Sequence, residues 1–169
     1  MSVKEVSQIT YNFGFVILAA VAGYVGWHEY KSAQTEQKIG RSMVVWERFY
    51  RSPVSDSWKI VSASVLKHDG KILDILKNST VGNIDKNYRD VVISIIVKDE
   101  IEHDVHVILD FFDESIFCVE SGLCDRTAIE KPFKHKMKKF RNFFRPYFIE
   151  LGTSYNSSID GNLKRFIQH

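Results

Sequence analysis

The sequence predicts an all-α protein, with a single N-terminal transmembrane helix followed by a small cytoplasmic helical bundle that ends in a C-terminal helical hairpin. Three observations carry this expectation. Residues 9–27, ITYNFGFVILAAVAGYVGW, hold no formal charge. Further along, apolar residues recur at steps of three and four, most clearly over 105–119 and 133–151. A β-branched run suited to a strand occurs only near residues 91–97, and a lone strand leaves its backbone groups unsatisfied.

The uncharged stretch comes first. A bilayer core about 30 Å thick needs roughly 20 apolar residues at helical rise. Only a helix satisfies its own backbone in hydrocarbon, so one spanning helix is the economical reading. A cleavable signal peptide is the competing reading, with Ala20-Val21-Ala22 as the small-residue site. Lys4 is cancelled by Glu5, however, and the apolar run continues through Tyr24, Val25 and Trp27. The uncleaved anchor is therefore expected, over residues 1–30. Lys31, Lys38, Arg41, Arg48 and Arg51 follow it, against Lys4 before it. This bias puts the N-terminus outside and the rest in the cytoplasm of a bacterial inner membrane. Ala19, Ala22, Gly23 and Gly26 make a small-residue strip of the kind that lets two membrane helices approach closely. The expected partners are thus the membrane itself, and a membrane protein or a second copy of the chain.

Residues 31–152 should form the cytoplasmic helical domain. Nine of the twelve Phe, three of the seven Tyr and two of the three Trp fall in it and give it ample core material. A helix continues out of the anchor to residue 50, with Ile39, Met43, Trp46 and Tyr50 on one stripe, and Ser52-Pro53 stops it. Ser55 or Asp56 would cap a second helix bearing Trp58, Val61, Val65, Ile72 and Leu76, with Gly70 weakening its middle. Residues 78–83 read as a turn. Residues 84–97 fit a helix through Ile84, Tyr88, Val91 and Ile95, although VVISIIV also has strand character; helix is favoured.

Val105, Ile108, Leu109, Phe112, Ile116 and Val119 then trace one helical face. Gly122 sits where a left-handed C-terminal cap belongs, and Asp125 reads as the next N-cap. The last long helix passes Pro132 and carries Phe133, Met137, Phe140, Phe144, Phe148 and Leu151. Pro146 should kink it and Gly152 close it. Residues 153–169 are expected to form a flexible tail, with at most a short turn at residues 163–167. Cys118 and Cys124 lack any disulfide framework, which suits a reducing compartment, and Cys118 reads as a small core residue.

Over ILDFFDESIFCVESGLCDRTAIEKPFKHKMKKFRNFFRPYFIEL, residues 108–151, the chain resembles an uncharacterised bacterial family of small proteins with one N-terminal membrane helix. The likeness rests on Leu109-Asp110-Phe111-Phe112, on the turn from Gly122 to Asp125, and on Arg145-Pro146-Tyr147. It departs at Pro132 and in the lysine-rich stretch. It implies a helical domain facing the cytoplasm and an association with phage defence, and it brings no activity or cofactor.

Chemistry is sparse. Glu100, His103, His106 and Asp110 could share a helical face, but a carboxylate-bridged di-iron bundle needs a Glu-x-x-His pair on each of two helices. Cys118-x5-Cys124 does not have zinc-clip spacing either, so no metal and no cofactor are expected. There is no glycine-rich phosphate loop and no Gly-x-Ser-x-Gly elbow, hence no warrant for an enzyme or for a small-molecule substrate. Charge is the more informative layout. Residues 98–125 carry nine acidic side chains and one basic, whereas residues 130–145 carry seven basic and one acidic. If the turn at Gly122 makes a hairpin, these faces can flank one another as exposed pairs, which contribute little. The sharper reading has Lys131, Lys134, Lys138, Arg141 and Arg145 lying against anionic lipid headgroups. No nucleic-acid motif accompanies the lysines. The expected function is that of a membrane-anchored, protein-binding scaffold, regulator or assembly subunit. The alternative is a phage-defence effector that oligomerises through its anchor.

Overall fold

The computed structural model describes the backbone of residues 3–78, 83–154 and 158–168, and the side chains of residues 17–75, 77–78, 83–151 and 161–168. These residues form helices and no strand: α1 (Val3–Tyr50), α2 (Val54–Lys67), α3 (Asp69–Asn78), α4 (Ile84–Lys98), α5 (Glu102–Glu120), α6 (Arg126–Ser154) and α7 (Ser158–Gln168). The all-α expectation is met. The chain divides into two compact units, Met1–Gly40 and Arg41–His169.

In the first unit, the side chains of residues 17–37 are all exposed, among them Leu18 at 70% and Tyr24 at 70%. Among the described residues no helix is long and apolar enough to cross a membrane. That finding departs from the expected transmembrane helix. Residues 17–27 alone fall short of the length a span requires, and alanines and glycines dilute their apolar character. The other part of the expected span, residues 9–16, lies outside the described side chains.

The second unit opens with the end of α1. Its buried face is Ser42 and Phe49 with half-buried Val45 and Trp46, while Ile39, Met43 and Tyr50 stay exposed. Of the expected stripe only Trp46 meets the core; Phe49 rather than Tyr50 enters it, and Tyr50 stays exposed. The expected second helix is divided at His68 into α2 and α3. α2 follows Pro53 with no side-chain cap, and Asp56 instead pairs with Lys59 at 3.2 Å inside the first turn. Leu76 lies outside the described side chains. Residues 84–98 are helical, and α4 buries Val92, Ile95 and Ile96.

α5 buries all six of its expected face residues together with Phe111 and Ser115. Gly122, at φ +71°, closes it. Its N–H donates to Val119 O at 3.0 Å and the Leu123 N–H to Cys118 O at 3.0 Å, the paired bonds of a left-handed helix cap. Asp125 Oδ1 then accepts the Ala128 N–H at 2.8 Å and caps α6. The same turn brings Cys118 and Cys124 to a Cα separation of 5.2 Å, and they are joined as a disulfide. This corrects the expectation of two free thiols. The turn, rather than any cysteine framework, sets the pair together, because the Cys124 N–H also bonds Cys118 O at 2.9 Å.

α6 runs on through Pro132 and Pro146 and past Gly152 to Ser154. α5 packs chiefly against α2 and α7, and α6 against α7 and α4. Within the C-terminal hairpin α5 and α6 meet through rings, Phe111 against Phe133 and Phe112 against Phe140. The expected loose tail is corrected: α7 is a helix whose Leu163 and Phe166 are almost completely buried. Its short apolar set at 163, 166 and 167 has helical spacing and finds a complementary surface on α5 and α6.

Aromatic rings fill the centre. Phe49 meets Phe133 at 5.1 Å, Phe111 at 5.4 Å and Trp58 at 5.6 Å between ring centroids. Phe112 meets Phe140 at 5.6 Å, and Phe140 meets Phe144 at 5.0 Å and Phe148 at 5.7 Å. Such offset and edge-on pairs contribute beyond their area burial.

Two glycines should respond oppositely to alanine. Both have open space for a Cβ, but Gly122 has a left-handed backbone and Gly70 is helical. Gly122→Ala is expected to cost about 1 kcal/mol, and Gly70→Ala to gain up to about 1 kcal/mol. Urea unfolding midpoints of the two variants check this, and a shift of the same sign in both would contradict it.

Candidate functional site

The expected metal candidates do not converge. Glu100 falls in the turn before α5 with φ +54°, so it is not on the helical face it was expected to share. It closes α4 instead, next to Ile101, whose N–H bonds Ile96 O at 3.1 Å. His103 and Asp110 are exposed, and His106 Nε2 lies 3.0 Å from the Tyr147 hydroxyl. Among the described residues no group of three or more His, Cys, Asp or Glu is placed to hold a metal.

Two polar clusters are built into the bundle. Asp99, at the C-terminus of α4, accepts from Ser64 Oγ at 2.7 Å and from Lys67 Nζ at 2.9 Å, and lies 3.2 Å from His68 Nε2. The Ser64 hydrogen bond above all, with Lys67 and His68, holds its carboxyl well below the usual carboxylate range. The cluster ties the α2–α3 junction to the end of α4, which accounts for the break at His68. Tyr147 on α6 donates to Glu102 Oε1 at 2.8 Å, and burial, then the Glu102 carboxylate, pushes its hydroxyl up. Tyr88 donates to the Phe143 carbonyl at 3.1 Å, and its hydroxyl is raised by burial. These bonds fasten α4 and α5 to α6.

The basic stripe fares differently. Lys131, Lys134, Lys138, Arg141 and Arg145 all lie on α6, at successive steps of three and four. The first three line an open groove of about 560 Å³ with Thr127, Glu130, His135 and, from α7, Ile167. Arg126 Nη1 bonds Glu130 Oε1 at 2.9 Å, and Lys134 Nζ lies 3.7 Å from Glu130 Oε2. The one carboxylate in the groove is thus held by Arg126 and Lys134. Lys131 and Lys138 are exposed, with no ion-pair partner among the described residues. Arg141 is half-buried and Arg145 exposed, and neither lines the groove.

Sequence reasoning found the lysines and missed the opposite wall. Ile167 belongs to a segment that was expected to be loose. The amphipathic spacing of Leu163, Phe166 and Ile167 was the signal available. Arg126, stacked 5.3 Å over the Phe166 ring, fixes α7 beside the first turn of α6.

The small-residue strip is on α1. Ala19 and Ala22 are exposed, and a Cβ placed at Gly23 or Gly26 meets nothing within 4 Å. The chain itself does not need those glycines for packing.

Asp99 generates a pH prediction. A depressed carboxyl adds stability that is complete above its unfolded value, about pH 4, and is lost as pH falls through the lower folded value. Asp99→Asn should therefore lower the thermal midpoint at neutral pH, and the gap to the parent should begin to narrow below about pH 4. Thermal melts at pH 7, 5, 4 and 3 check it, and a gap that stays constant with pH would contradict it. Compared with family models, with curated proteins and with solved structures, the chain matches none.

Proposed function

We propose that this chain is a membrane-anchored, protein-binding scaffold or assembly subunit, held at the bilayer through the N-terminal part of α1. The observation that carries the reading is the exposed apolar surface of residues 17–27. Ile17, Leu18, Val21, Tyr24, Val25 and Trp27 lie outside any core. A helix that is apolar on all sides needs lipid or protein around it. The uncharged sequence continues upstream through residues 9–16, which supplies the length that residues 17–27 lack.

Charge bias favours the cytoplasmic side for the bundle, because five basic residues follow the apolar run within 24 positions of Trp27. The Cys118–Cys124 disulfide by itself argues for an oxidising side. The turn holds those two residues together through backbone bonds, so pairing requires no dedicated framework, and the charge bias carries the assignment. On that side the basic stripe of α6 meets anionic headgroups, each close lysine contributing on the order of 1 kcal/mol. A second reading, an effector that perturbs the bilayer through self-association, draws on Gly23 and Gly26. Glycine in a helix interior costs about 1 kcal/mol against alanine, and nothing in the monomer needs it there.

Expressed in bacteria, the full chain should stay in the membrane pellet after alkaline carbonate extraction, and protease added outside intact cells should leave the C-terminal portion uncut. Release into the supernatant would refute the anchor, and digestion would refute the orientation. Gly23→Leu with Gly26→Leu should leave extraction unchanged and abolish co-purification of a differently tagged second copy or of a membrane partner. Unchanged co-purification would remove the strip from the proposal.

A further inference from the structure

We propose that the groove between α6 and α7 is a binding site for a phosphate-bearing anion, with Lys131 and Lys138 supplying the charge and the Thr127 hydroxyl a neutral donor. This deepens the headgroup-facing reading of α6, and it does not depend on the anchor. Thr127, Lys131, Lys134 and Lys138 succeed one another at steps of four, three and four, which gathers them on one side of α6. The groove they line measures about 560 Å³ and is open to solvent.

The charge balance inside it is set by Glu130. Arg126 takes one carboxylate oxygen at 2.9 Å and Lys134 approaches the other at 3.7 Å, so this acid is already countered from both sides. Lys131 and Lys138 are left as two exposed ammonium groups with no ion-pair partner among the described residues. Seven residues of helical rise separate them by about 10 Å along the axis. Lysine is a mobile point charge on a long stem, so both can converge on one anion seated between them. Ile167 gives the opposite wall an apolar surface. A phosphate joined to an apolar body satisfies both walls, and an inorganic polyphosphate satisfies the cationic one.

Both sources share the phosphate, and the test separates them. The full chain in neutral detergent is titrated with inorganic pyrophosphate, and in a second arm with phosphatidic acid doped into the same micelles, each against sodium chloride at matched ionic strength. Binding is read by calorimetry. Saturable binding is expected in at least one arm. Lys131→Gln with Lys138→Gln should weaken it about thirtyfold, two lysines at the usual strength of a close headgroup contact. Thr127→Val should weaken it less, and Lys139→Gln, outside the groove, should leave it unchanged. Binding in the pyrophosphate arm identifies a soluble phosphate as sufficient, and binding in the lipid arm alone identifies a headgroup. No binding above matched salt in either arm would overturn the site. So would equal weakening by Lys139→Gln and the double variant, since only diffuse charge would then be at work. Thermal midpoints of the unliganded variants verify that each one folds. Failure of the carbonate test would leave the pyrophosphate arm standing, and failure here would leave the anchor standing.

Discussion

The ring seam of α6 is the constraint on which the bundle depends. Pro132 and Pro146 both lie inside that helix, and an interior proline costs about 3 kcal/mol or more. Local propensity therefore opposes an unbroken α6. Phe133, Phe140, Phe144 and Phe148 are each buried along one side of it, and a fully buried ring of this size contributes about 1.5–3 kcal/mol. Four such rings, with Ile129 and Met137 buried among them, outweigh two prolines. The seam closes only because α1, α2 and α5 offer rings of their own at Phe49, Trp58, Phe111 and Phe112. Tertiary packing, rather than helix preference, holds this segment in shape.

Fixing one side of α6 fixes the others. Residues one or two positions along from the ring set are rotated away by helical geometry, roughly a quarter to a half turn round the axis. Those positions carry the lysines and arginines. The outward display of Lys131, Lys138 and Arg145 follows from the burial of the phenylalanines and requires no further device, while Arg141 is half-buried. α7 then docks beside the first turns of α6, where Phe166 enters the core and leaves Ile167 next to Lys131, Lys134 and Lys138. A basic surface becomes a basic groove because a neighbouring helix buries two residues and leaves a third at the rim.

Much of this was legible from spacing alone. The left-handed turn at Gly122 and the cap at Asp125 depend on contacts within a few residues, which sequence reports directly, and the buried face of α5 is marked by its own apolar spacing. What spacing could not report was competition between helices for one core. Of the stripe through Ile39, Met43, Trp46 and Tyr50 only Trp46 packs on the core, and Val45 and Phe49 take the other places, Phe49 against Phe133 and Phe111. The break at His68 arises from Asp99, more than thirty positions away in sequence. The disulfide was missed for a related reason: the turn was read correctly, but its power to carry Cys124 back to Cys118 was not followed through. α7 was missed because its eleven residues carry only four large apolar side chains, two of them, Leu163 and Phe166, core positions. The basic stripe was legible residue by residue, whereas the groove needed α7.

The two ends of α1 show the same chemistry put to different use. Between residues 42 and 49, apolar side chains and one serine hydroxyl are consumed by the bundle, with Ser42 Oγ accepting the Asp125 N–H at 2.9 Å. Between residues 17 and 27, aliphatic and aromatic side chains remain exposed on every side of the helix. A helix in water is normally stabilised by burying one stripe while its other faces stay polar. Residues 17–27 do neither. Their apolar surface would also be a liability for aggregation if it stayed wet. Under the proposed reading, stability of that segment comes from lipid or a partner that encloses it, and the side chains that would meet this surrounding are Ile17, Leu18, Val21, Tyr24, Val25 and Trp27. On that reading their apolar character answers to what surrounds the helix, because none of them packs into the core of the bundle.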